Sequence, residues 1–130
     1  MITEDYVSFK VAKLLKEKGF DEKCSYEWGV PDIDGGYILQ KWSIYNGEIR
    51  NSELINDAYA APTLQMACKW LREVHKTHIV ISPISSKGYG AILCDVGDFN
   101  DFNYIAETDY FFHPEEAIEA AIKYTLENLI

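Results

Sequence analysis

Few side chains in this sequence stand at spacings that could do chemistry, and each such group has an ordinary structural reading beside it. His75 and His78 have the H-x-x-H spacing of a metal-ligand pair. One closes a predicted helix and the other opens a predicted strand, with no third ligand close by, so a helix-terminal histidine and a strand histidine is the simpler reading. Asp95, Asp98 and Asp101 recur every third residue around Gly97 and Asn100, offering oxygens to a hard cation such as Ca²⁺ or Mg²⁺. The order is not that of an EF-hand loop, and Asp and Asn populate turns for their own backbone hydrogen bonds. Asp32, Asp34 and Gly35-Gly36 likewise read as a turn, since no G-K-[ST] or G-x-G-x-x-G follows to cradle a phosphate. There is no G-x-S-x-G elbow, and Cys68 and Cys94 fall on an apolar helix face and within a strand, as packed thiols do. With Cys24 they make three cysteines and no C-x-x-C pair, which reads as reduced thiols rather than a disulfide framework. No catalytic residue, metal site or cofactor follows from these patterns.

The segment with the strongest functional signal is 98–112. There Phe99, Phe102, Tyr104, Tyr110, Phe111 and Phe112 alternate loosely with Asp98, Asp101, Glu107 and Asp109. Six rings exceed what the inner face of one strand can bury, so some should meet solvent, and exposed rings among charges compose a protein-binding patch. The competing reading places Phe99, Phe102 and Phe112 in the core at the end of the sheet.

Charge favours the patch. The chain carries a net −9, and residues 95–130 hold −8 of it, with Lys123 as their single base. Such a field repels nucleic acid and anionic lipid and steers basic partners inward. The expected function is a non-enzymatic interaction module of accessory, inhibitor or immunity type. Its binding residues are Asp98, Phe99, Asp101, Phe102, Asp109, Tyr110 and Phe111, and its partner is a basic protein or a second copy, with neither nucleic acid nor membrane involved. The rival is a small-ligand binder or enzyme whose pocket lies beside residues 51–61, walled by Tyr59, Trp42 or His78.

The elements that must position these residues are legible from periodicity. At 130 residues, 48% apolar and 14% aromatic, the chain is expected to form one domain around one core. The first residues show no signal-peptide pattern and no stretch is long enough to span a bilayer, so a cytoplasmic protein is expected. Thr3 reads as the cap of a first helix with Val7, Val11, Leu14 and Leu15 on one stripe, stopped by Gly19, with Phe20 placed for a Schellman contact.

Residues 24–30 and 37–45 read as strands, and Asn46-Gly47 as a hairpin turn returning through 48–50. Residues 51–61 read as an irregular loop. A second helix runs from Pro62 or Thr63 to about Lys76, with Leu64, Ala67, Cys68, Leu71 and Val74 as its stripe, widened by Met66 and Trp70. Strands follow at 78–84, 89–96 and 102–108, the first marked as an edge by Pro83. A last helix starts at Pro114 with Glu115 and Glu116 in its first turn and Ile118, Ala121, Ile122, Thr125 and Leu129 inward.

The expected fold class is α+β: a single antiparallel sheet of about 5–6 strands with three helices on one face, in the order α-β-β-(β)-α-β-β-β-α.

The second half has the helix, three strands, helix order of a double-stranded RNA binding domain. Such a module needs a basic helix start to grip phosphates, and Pro114, Glu115, Glu116 and Glu119 stand there instead. The stretches DYVSFKVAKLLKEKGFDEKC, APTLQMACKWLREVH and EEAIEAAIKYTLENLI lie at the start, middle and end of the chain. In them it resembles a family of short cytosolic proteins that recur in genomes of gut anaerobes, their phages and mobile elements. No activity is attached to that family, so the resemblance implies membership and supplies no catalytic residues.

Overall fold

Ser8, rather than Thr3, opens the first helix. In the computed structural model, which describes residues 2–29, 35–42, 47–84, 86, 88–96 and 102–130, the Ser8 hydroxyl accepts the Val11 amide at 3.3 Å at the head of α1, Phe9–Glu17. Val7 fits the helical stripe by spacing, yet its amide donates to the Pro62 carbonyl at 3.0 Å, which holds it extended before the cap. The far end follows expectation. Gly19 has φ 92°, Phe20 N–H donates to Leu15 at 2.9 Å and Gly19 N–H to Lys16 at 3.2 Å, the two bonds of a Schellman ending, with Phe20 buried.

Instead of one sheet of five or six strands, the chain forms two three-stranded antiparallel sheets, one in each of two compact units, Met1–Thr63 and Leu64–Ile130. Periodicity marks strands but not which edges pair, so the α+β class was legible and the sheet count was not.

In the first unit β1 (Tyr26–Gly29) lies between β2 (Ile38–Lys41) and β3 (Tyr59–Ala61). Alternation along β1 sends Tyr26 and Trp28 toward the chain start and α1, where the Trp28 indole donates to Val7 O at 2.9 Å and its ring meets Phe9 edge-on at 6.3 Å. Glu27 and Gly29 take the other face. The expected loop 51–61 is a 3₁₀ turn, Asn51–Glu53, leading into a buried β3. Ile49 pairs with Cys24 through bonds of 2.7 and 2.8 Å, so the 48–50 segment returns to the head of β1. Asn46 of the expected hairpin turn, and Asp32 and Asp34, lie outside the described residues.

The second unit runs α2 (Leu64–His75), β4 (Thr77–Pro83), β5 (Tyr89–Val96), β6 (Phe102–Glu107), α3 (Pro114–Asn128), as the sequence pattern predicts. β5 is central, so β4 is an edge strand, where the missing N–H of Pro83 is tolerated. α3 packs on β4 and β5, and α2 on β4 and α3. Ala91, Leu93, Ala117 and Ala121 form a buried cluster flanked by Ile79, Ile81, Tyr89, Ala106 and Phe111. The α3 stripe is rotated from the expected one: Ala117 and Leu126 are buried, whereas Ile118 is half-buried and Leu129 exposed. Val74 of α2 is also exposed, while Trp70 is buried. Small alanines let the sheet approach α3 closely, which swings the bulkier neighbours off the contact line.

Candidate functional site

Strand register decides what the second sheet shows to solvent. Ala91 and Leu93 point to α3, so their neighbours Gly90, Ile92 and Cys94 point away, with partners Ser82, Val80 and His78 on β4. On β6 a register shift at Leu93/Cys94 brings Tyr104 opposite Cys94 and Glu107 opposite Ile92. Both therefore join the outward face, where Tyr104 is 61% exposed.

After β6 the pairing slips by one residue, since Ile92 faces Glu107 but Tyr89 faces Phe111, and the slip exchanges inward and outward positions. Tyr89 and Phe111 exchange backbone bonds of 2.7 and 2.8 Å, so both face inward and Phe111 joins the core cluster. Tyr110 and Phe112 on either side turn out, 55% and 82% exposed. Phe112 is thus a surface ring rather than core. Tyr110 lies over Gly90, 3.5 Å from where a Cβ would stand, and shares a shallow depression with Ile84, Ile92 and Glu107. Glu107 and Asp109 are exposed beside these rings, and Glu115 and Glu116 are exposed in the first turn of α3. Lys123, the one base of this segment, pairs with Glu127 at 3.5 Å. Of the expected binding residues, Asp109 and Tyr110 stand on this surface and Phe111 beneath it. Phe102 opens β6 opposite Val96, and Asp98, Phe99 and Asp101 lie outside the described residues. Tyr104 and Phe112 were not singled out for binding; their signal was position in an alternating run, readable only once the bulge and the Tyr89–Phe111 bridge are known.

The histidine pair is divided. The His75 ring stacks edge-on with Trp70 at 4.7 Å, while His78 lies on β4 opposite Cys94. Among the described residues no three His, Cys, Asp or Glu side chains gather as a metal site would require. Burial pushes the Cys24 thiol up to about 12 and the Cys68 thiol up to about 11, so neither is a ready thiolate.

A second concavity lies wholly within the first unit, beside residues 51–61. It is a cleft of about 280 Å³ whose lining includes Glu27, Gln40, Trp42, Glu53 and Ile55. Of the walls expected from the sequence, Trp42 is present. Tyr59 is on the opposite face of the sheet, against Phe9 at 5.5 Å, and His78 belongs to the other unit. The wall formed by residues 50–58 is held by bonds from distant residues. Lys16 Nζ donates to the Ile55 and Ala58 carbonyls at 2.9 Å each. Asn51 donates to Phe20 O at 2.8 Å and accepts from the Ala60 amide at 2.8 Å. Arg50 donates to Asp21 O at 2.7 Å, and the Ser52 amide donates to the Asp21 carboxylate at 2.7 Å, which lowers that carboxyl's pKa.

The sheet side of the cleft carries Glu27, only 6% exposed. Its Oε1 accepts from Gln40 across the strands at 3.0 Å, and its Oε2 is buried with no hydrogen-bond partner among the described residues. The sequence hid this residue, because one glutamate between Tyr26 and Trp28 reads as the solvent side of an alternating strand.

In comparison with known proteins, no family model, curated protein or solved structure matches the chain. Among the described residues no helix is long and apolar enough to cross a membrane.

Proposed function

We propose that the protein is a non-enzymatic interaction module that docks a basic protein on the outward face of its second sheet. The observation that carries this reading is the exposure of Tyr104, Tyr110 and Phe112 beside Glu107 and Asp109. Aromatic rings give large contact area with few rotors to freeze, which suits the centre of an interface. Surrounding carboxylates favour a Lys- or Arg-bearing partner and disfavour phosphate backbones, as do Glu115 and Glu116 at the helix start. The single lysine after Asp95, Lys123, is already ion-paired with Glu127.

The test uses the tagged protein as bait in its native host, compared with the double variant Tyr104→Ser, Phe112→Ser and with Asp109→Asn, each checked for fold by circular dichroism. The expected result is a basic partner retained by the parent protein and lost with the double variant. Its reconstituted complex should weaken with rising salt and weaken about tenfold with Asp109→Asn. An unchanged set of bound proteins across the variants overturns the reading, as does a partner that proves acidic or a patch that serves only to pair two copies of the chain.

A further inference from the structure

We infer that the cleft of the first unit binds a cationic amine, a primary ammonium or guanidinium on a short aliphatic stem, with Glu27 as its counter-ion. This rests on the first unit alone and is independent of the patch on the second sheet.

The argument starts from an unsatisfied group. A buried carboxylate oxygen without a donor is costly, so native proteins seldom keep one without a use for it. Glu27 Oε2 is such an oxygen, on a side chain more than nine-tenths buried and part of a cleft wall. The single described donor to this carboxylate is Gln40, on an exposed strand, whose terminal amide can rotate to admit a second donor.

The rest of the lining agrees with a positive ligand. Glu53 is a second carboxylate, and no Lys, Arg or His lines the cleft among the described residues. Trp42 offers an indole to the same space, and a ring face attracts an ammonium or guanidinium. Leu54, Ile55 and Ala58 supply apolar contact for a hydrocarbon stem. The volume, about 280 Å³, suits one side-chain-sized group rather than a cofactor. Gly29 is part of the fit: a Cβ there would stand 2.9 Å from Gln40 Nε2 and crowd the carboxylate. The wall opposite is already ordered by Lys16, Asn51 and Arg50, so little chain entropy remains to be lost on binding.

The ammonium could belong to a free small amine or to a lysine of another chain, and three probes separate these. The isotope-labelled full-length protein is titrated with n-butylammonium chloride, with Nα-acetyl-lysine methylamide, and with uncharged 1-pentanol, following the Trp42 indole and Gly29 amide signals. Shifts with either cation, and not with pentanol, are expected. A stronger response to butylammonium marks a free amine, and a stronger response to the lysine amide marks a partner's side chain. Glu27→Gln should weaken cation binding about tenfold. The same variant should melt no lower than the parent protein, because it removes a buried charge lacking a partner. Equal response to pentanol, no response to either cation, or unchanged affinity in Glu27→Gln overturns the inference. A lowered melting point with unchanged affinity would make Glu27 merely structural. Should Glu27→Gln fail to fold, Glu53→Gln at an exposed position carries the test: weakened cation binding supports the site and unchanged binding overturns it.

Discussion

The two units reach order by different routes. In the second, three strands follow one another as a meander, each pairing with its chain neighbour, and the β4–β5 ladder runs unbroken from Thr77↔Asp95 to Pro83↔Tyr89. In the first, strands of three and four residues are too short to hold a sheet by themselves. There the order comes from side chains bonding to backbone 29 to 42 residues away, chiefly Lys16, Arg50 and Asn51. Neighbour pairing leaves a pattern in the sequence, whereas remote side-chain bonds leave none. The two candidate sites divide the same way: the patch belongs to the meander and the cleft to the remotely tied wall.

The comparison can be broken most severely at Gly88. Its φ is 109°, and a Cβ would stand 2.2 Å from the Phe111 carbonyl oxygen, which accepts the Tyr89 amide. Gly88→Ala should therefore destabilise the protein by about 3 kcal/mol or more, through backbone strain and loss of the Tyr89–Phe111 bridge. Chemical denaturation measures the loss, and hydrogen exchange should place it at β5 and residues 110–112. A variant as stable as the parent would show that the bridge does not order the patch.

Asn51→Ala tests the other route. It strips partners from the Phe20 carbonyl and the Ala60 amide, both on buried residues, and should destabilise by about 2–3 kcal/mol. Amide protection should fall first at β3 and residues 51–58. If exchange there is unaltered, remote bonding is not what holds this unit.

The smallest effect sharpens the contrast in the opposite direction. Lys76 ends α2 at φ 58°, a left-handed conformation that glycine adopts without strain. Lys76→Gly should raise stability by about 1 kcal/mol, read as an upward shift of the denaturation midpoint with unchanged slope.

Legibility varied with the range of the interactions. The Schellman ending at Gly19 and Phe20, the Pro114 start of α3, Pro83 on an edge and all three strands of the second unit were readable, because each depends on residues within a few positions. The first helix start was misplaced because the Val7 amide, satisfied by Pro62, outweighed its helical spacing. β3 was read as loop because Tyr59–Ala61 has no alternation when both faces are covered. In the patch, the surplus of rings was readable, but which rings emerge depended on a bulge and a single bridge.

By itself the sequence determined the α+β class, the order of helices and strands in the second unit, the acidic excess after Asp95 and the excess of aromatics around it. Those properties follow from local propensity, periodicity and composition, which the chain carries wherever it folds. Tertiary structure alone decided that the strands divide into two sheets, that Tyr104, Tyr110 and Phe112 face outward, and that a buried Glu27 stands on the wall of a cleft. Each of those depends on which remote backbone groups satisfy one another, and hydrogen-bond partners dozens of residues apart leave no periodic trace.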